Sequence, residues 1–250
     1  MLVLKSDGLA AVKSKVVSCG PNRHFVKQHK RRAYIQADGK SVPAAVISDH
    51  CANNPKGYDV WNSKIKNGRP DSWPRTNEKS QQWTTEEKER VIEAIASLPS
   101  ELLNTGIRGV FKMERCEELD GNPASKYGDD LVLYDSAFDS DKNLAQIISH
   151  ELAHQYYEKM LDQDQYGYRQ SSGWYDLANP GKPHQYASLR KDSEFTRRNA
   201  KDNPEEDFSV NIESYLFQPE SLKKSVPGAY DWIRQRFGDK FRISTGGAHG

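Results

Sequence analysis

The pentapeptide His150-Glu151-Leu152-Ala153-His154 constrains this chain more than any other stretch of its 250 residues. Leu144, Ile147, Ile148, Leu152, Tyr156 and Met160 recur around it at spacings of three and four, which predicts an amphipathic helix ending near Leu161. Residues i and i+4 of a helix lie on one face, one turn apart, so both imidazoles can reach one cation. Glu151, beside the first histidine, can address whatever else that cation holds. The fold must bury one side of this helix and keep the other open to a site.

Such a helix needs a sheet and further helices around it, and the flanking sequence supplies both. Thr84 with Glu87 forms a capping box ahead of the stripe Val91, Ile92, Ile95 and Leu98. Ile107 to Met113 and Leu131 to Tyr134 read as strands, and Ser140 or Asp141 can cap the histidine helix. Residues 162–202 lack a clear period and are expected to form a long functional loop or lid. A helix starts at Asn203-Pro204, with Asn as cap, Pro at the first position and acidic residues in the first turn. Tyr230, Ile233 and Phe237 mark a last helix, and residues 241–250 read as a disordered tail. The order of elements is that of an α+β domain over residues 80–240.

The first part of the chain is different in charge. Residues 1–75 hold 14 Lys+Arg against 5 Asp+Glu, a balance of +9. The remainder holds 22 against 30, or −8, and the two sum to the net +1. Residues 19–46 alternate basic, aromatic and β-branched side chains between turn signals at Gly20-Pro21-Asn22 and Asp38-Gly39, predicting a small β-rich module with short hairpins. Its run Arg23 to Arg32 can contact an anionic polymer, nucleic acid or cell wall, although no nucleic-acid-binding motif accompanies it. Tyr58, Trp61 and Trp73 lie among turn formers and read as an aromatic linker or packing segment closing this module at about residue 75.

Mean hydropathy is −0.87, and no run approaches 18 apolar residues, so no membrane span is expected. The N-terminal stretch lacks the apolar run of a signal peptide, predicting a chain that is cytoplasmic as synthesised or exported by a signal-independent system. Cys19, Cys51 and Cys116 are odd in number and widely spaced, which predicts free thiols. Cys19, His24, His29, His50 and Cys51 match no regular zinc-finger spacing.

Two histidines and a glutamate in this pattern point to zinc, with Glu151 as general base on an activated water and a peptide or protein as substrate. A third ligand is needed. Position 160 is Met, which excludes the compact three-histidine arrangement, and Glu205, Glu206, Asp207 and Glu213 all remain open, with Glu206 the best placed. The stretch Asn203-Pro204-Glu205-Glu206-Asp207-Phe208-Ser209 resembles the Asn-Pro-Glu-Glu-Asp-Phe-Ala segment of zincin metallopeptidases, specifically gluzincins of the anthrax-lethal-factor and Pro-Pro-endopeptidase type. The resemblance covers residues 100–237 and implies a zincin-like fold, peptide-bond hydrolysis, and Glu206 as the third zinc ligand after His150 and His154. It also implies two residues that this chain lacks. Val210 stands where relatives carry an acidic residue buttressing a histidine, with Asn211 or Glu213 as substitutes. Asn199 stands where they carry an oxyanion-stabilising tyrosine, leaving Asn199, Tyr168, Tyr175, His184 and Tyr186 as candidate donors. Two other functions fit the same residues: an exported antibacterial hydrolase of peptidoglycan peptides, and a degenerate zincin that binds nucleic acid or an anionic surface.

Overall fold

The computed structural model describes residues 19, 23–26, 29–31, 34–35, 41–42, 45–48, 50–53, 57–71, 73–75, 77–114, 122–139, 144–177 and 185–243. They fall into two units, 1–54 and 55–250.

In the first unit, β1 (Arg23–Val26), β2 (His29–Arg31), β3 (Tyr34–Ile35), β4 (Ser41–Val42), β5 (Ala45–Ile47) and β6 (His50–Asn53) pair from the outside inwards: β1 with β6, β2 with β5, β3 with β4, all antiparallel. Arg23 opposes Asn53, His29 opposes Ile47 and Ile35 opposes Ser41. Every such pair of residue numbers has the same sum, so the three ladders share one register. They are the two arms of a single hairpin rather than several short ones, and the expected Asp38-Gly39 turn lies outside the described residues. The expectation of free thiols is overturned at two positions. Cys19 and Cys51 form a disulfide across a sequence separation of 32, with Cα atoms 5.5 Å apart. Pairing of β1 with β6 brings the start of the module back beside its end, a proximity that cysteine spacing alone does not reveal. The disulfide also removes both sulfurs from any second metal site.

The second unit starts earlier than the charge balance implied. α1 (Tyr58–Lys64) and β7 (Ile65–Lys66) bury Trp61 and Ile65 in its core, so the aromatic segment belongs to this unit as packing. α2 (Thr85–Ala96) opens with the expected Thr84–Glu87 capping box, followed by α3 (Ser100–Leu103). β8 (Gly109–Met113), β9 (Ala124–Tyr127) and β10 (Asp130–Tyr134) complete a four-stranded sheet in the order β7-β8-β10-β9. The first three strands in that order run parallel, and β9 is an antiparallel edge. Alternation along the strands divides their side chains between two layers. Val110, Leu131, Leu133 and Ala124 face the helical core, whereas Phe111, Met113, Val132 and Tyr134 pack with Trp73 on the other side.

After α4 (Ser136–Asp139) comes the histidine helix α5 (Leu144–Lys159); the proposed caps Ser140 and Asp141 lie outside the described residues. α5 is not amphipathic in the expected sense. Ala145, Ser149, Glu151, Ala153, Gln155 and Tyr157 are buried along with the apolar stripe, so the helix is central and covered on almost every side. The stretch expected as a lid is largely ordered into α6 (Asp162–Ser172) and a hairpin of β11 (Trp174–Leu177) with β12 (Gln185–Ser188). Short 3₁₀ turns at Asp192–Glu194 and Asn199–Lys201 lead into α7 (Pro204–Phe217), α8 (Pro219–Ser225) and α9 (Pro227–Phe237). The tail begins later than expected: Phe241 is fully buried, stacked 4.2 Å from Phe237, and only residues 244–250 lie outside the described residues. The architecture is mixed α+β, and none of its described helices is long and apolar enough to cross a membrane.

Candidate metal centre

α5 and α7 lie against each other, and together they build the site. On α5, the His150 and His154 rings are 4.9 Å apart at 76°, and their Nε2 atoms approach to 3.2 Å. On α7, the Asn203 side chain caps the helix by accepting from the Glu206 backbone N–H at 2.9 Å. The Glu206 side chain does not cap its own helix. Its Oε2 lies 3.7 Å from His150 Nε2 and its Oε1 3.5 Å from His154 Nε2. The three donors lie within 4.8 Å of one another and could hold a metal ion.

The other acidic candidates separate cleanly. Glu205 Oε1 sits 2.8 Å from His154 Nδ1, and Glu213 Oε2 sits 3.4 Å from His150 Nδ1. Each imidazole therefore turns Nε2 to the shared point; His154 Nδ1 meets its carboxylate at hydrogen-bond distance, the contact that fixes tautomer and ring orientation in metal sites, while His150 Nδ1 faces Glu213 without a hydrogen bond. Of the two residues considered in place of an acidic one at position 210, Glu213 is the one that faces His150, from three residues further along α7, while Val210 is wholly buried. Asn211 is engaged elsewhere, its amide donating to the Tyr168 hydroxyl at 2.8 Å. Asp207 is buried too, accepting from Tyr168 at 2.9 Å and Trp174 at 3.0 Å and pairing with Arg190 at 2.7 Å. It ties α6 and the β11–β12 hairpin to the turn of helix that bears Glu206.

The electrostatics favour a cation at this point. Burial works against a charged His150, but the facing carboxylates of Glu206 and Glu213 and the nearby Glu151 charge outweigh it and raise its pKa to about 9. Burial likewise pushes Glu206 and Glu213 up, and their partners more than reverse it: His150, His154 and Asn199 for the first, His150 and Arg197 for the second. Both carboxyls stay below their ordinary value.

The cluster opens into a cleft of about 1050 Å³. Its walls include the edge strand β9 through Ser125, Lys126 and Tyr127, and the approach to α7 through Arg197, Arg198 and Asn199. Glu151 lines it, largely buried, with no hydrogen bond or ion pair among the described residues. The proposed oxyanion donors fare differently. Asn199 is on the cleft, and its amide donates one N–H to Glu206 Oε2 at 2.9 Å. Tyr175 is exposed on β11 and, like Tyr168 and Tyr186, is absent from the cleft lining; His184 lies outside the described residues. Glu205, a candidate ligand in the sequence, lies behind His154, and two participants carried no usable sequence signal: Arg197, paired with Glu213, and Gln146, which donates to Glu213. Arg197 and Gln146 sit in no motif, and only the crossing of α5 and α7 brings them together. No protein-family model, curated protein or solved structure matches this chain.

Proposed function

We propose that this protein is a zinc-dependent metallopeptidase of zincin type, with His150, His154 and Glu206 as ligands and Glu151 as general base. The observation that carries this reading is the convergence of two carboxylate-backed imidazoles and a third carboxylate beside an unpaired glutamate on an open cleft. Two nitrogen donors and one oxygen leave a tetrahedral ion one open position, the donor set of catalytic zinc. Bound there, zinc would supply Lewis acidity, polarising a carbonyl and lowering the pKa of water. The protein supplies the remainder. Glu205 and Glu213 hold the rings, Asn199 holds the Glu206 carboxylate, and Glu151 is free to take a proton and return it to the leaving amine. β9 is an edge strand among the described residues, along which an extended peptide can lie.

The test is Glu151→Gln, which preserves shape and removes the base. It is expected to retain one zinc per chain by elemental analysis while turnover falls about 10³-fold. Wild-type turnover in that variant would disprove the mechanism. A substrate outside a reducing compartment is favoured by the Cys19–Cys51 disulfide, and the peptides of a bacterial cell wall are one such class. Release of muropeptides from purified sacculi by the zinc-loaded protein, and not by Glu151→Gln, would establish that substrate.

A further inference from the structure

Peptide hydrolysis drives negative charge onto the scissile carbonyl oxygen, and a hydrogen-bond donor at that oxygen is a large contribution to rate. Of the donors expected from the sequence, Asn199 lines the cleft and gives one amide N–H to Glu206, keeping the other, while Tyr168, Tyr175 and Tyr186 are absent from the cleft lining. Four cationic side chains line the cleft. Arg75 is held away by Tyr134 and Glu78, and Lys126 by Glu158. Arg198 is exposed, with no fixing partner among the described residues. Arg197 alone is both fixed and coupled to the metal cluster: its two terminal nitrogens grip Glu213, and the same carboxylate faces His150 Nδ1.

We infer that Arg197 is a catalytic residue of this site, donating from its guanidinium to the carbonyl oxygen of the bound peptide. This rests on the peptidase reading above. A guanidinium carries five N–H donors, and Glu213 engages one from each terminal nitrogen, so three remain. The Arg197 side chain is 32% exposed and lies on the cleft wall, whereas its carboxylate partner is 2% exposed. Its planar fork, locked by Glu213, also loses little side-chain freedom when a substrate arrives. In the step it serves, water oxygen bonds to the carbonyl carbon, the C=O π pair moves onto oxygen, and Glu151 takes the water proton. Arg197 holds that oxygen until the C=O bond reforms, the C–N bond breaks and Glu151 returns the proton to nitrogen.

The experiment compares wild type, Arg197→Gln, Arg197→Lys and Glu213→Gln, each zinc-loaded, on an equimolar library of synthetic decapeptides read by mass spectrometry. kcat and KM are then measured on the peptide cleaved fastest. Arg197→Gln is expected to keep its zinc and lose about 100-fold in kcat with little change in KM. Arg197→Lys, which keeps the charge but not the fork, should fall between it and wild type, and carries the test if the glutamine variant does not fold. The inference is overturned if kcat stays within about threefold of wild type. It is also overturned if zinc and activity fall together in Arg197→Gln as they do in Glu213→Gln, because Arg197 would then act only by positioning His150. If the zinc-loaded wild type cleaves nothing, the peptidase reading itself fails and takes this inference with it.

Discussion

The hairpin unit and the unit with the candidate metal centre hold their order by different means. Residues 23–53 are organised by backbone pairing in one register and closed by Cys19–Cys51. Residues 57–243 are organised by side chains, with a core running from Trp61 to Phe241 and buried polar links placed where the site needs them. A staple acts through the unfolded chain, whereas a core acts through contacts in the folded one. Agents that attack one should spare the other, and the most damaging changes should be those that strand a charge in the core.

Asp207→Ala is the largest. It removes the one carboxylate among the described residues that pairs Arg190, whose side chain is 9% exposed, and that also accepts from Tyr168 and Trp174. Burial raises the Asp207 pKa even though Arg190, Tyr168 and Trp174 all stabilise its charge, so the network is costly to build and more costly to break. Leaving one partner of a buried pair uncompensated costs about 3–5 kcal/mol. Urea denaturation followed by tryptophan fluorescence should show that loss, since every tryptophan lies in the second unit. A change below about 1 kcal/mol would mean that the network is solvated and does not anchor α7.

Reduction comes next and reverses the target. Opening a loop with this sequence separation removes about 3–4 kcal/mol by chain entropy. Hydrogen exchange should accelerate across residues 23–53 in reductant or in Cys51→Ser, and stay unchanged across α7. Equal acceleration in both units would break the contrast.

Glu205→Gln is finer still. It leaves the ligands and the core intact but replaces the carboxylate behind His154 by an amide. Zinc affinity is expected to fall 10–100-fold in a competitive chelator titration, with no shift in thermal midpoint of the metal-free protein. An unaltered affinity would show that Glu205 does not orient His154.

How much of this was legible in advance follows from how local each signal is. His150 and His154 announce themselves because helix geometry alone places them together, and the Thr84–Glu87 box is equally local. Glu206 could be favoured but not isolated, since Glu205, Asp207 and Glu213 share its helix and only the crossing angle with α5 distinguishes them. The lid expected over 162–202 is an ordered helix and hairpin because Trp174, Tyr168 and Arg190 converge on Asp207, partners up to 39 residues apart that no window detects. The disulfide was missed for the same reason: its two cysteines are neighbours only through the register of β1 and β6. What the sequence hides here is long-range pairing of polar groups, which leaves no periodicity behind.

The smallest predicted effect uses pH to separate the units. Lys112, on the helical face of β8, reaches Glu87 of α2 at 2.8 Å and Asp135 at 3.3 Å. Burial pushes the Glu87 carboxyl up, but hydrogen bonds from Lys112 and Thr84 outweigh it and its pKa lies below the ordinary 4.5. Burial likewise lowers Lys112, and Glu87 and Asp135 more than restore it to above 10.5. A depressed carboxyl contributes stability that is complete above its unfolded value and is lost as pH falls through its folded one. A raised lysine contributes stability that is complete below its unfolded value and is lost as pH rises through its folded one. The pair should therefore stabilise the second unit fully between pH 4.5 and 10.5 and weaken it on both sides. For a partly solvated pair the effect is about 1 kcal/mol. The capping box falls with it on the acid side, because Thr84 N–H donates to the same Glu87 carboxylate. Glu87→Gln should flatten the acid limb of the urea midpoint against pH for this unit, whereas a disulfide has no proton to lose and the hairpin should hold its exchange protection across the same window.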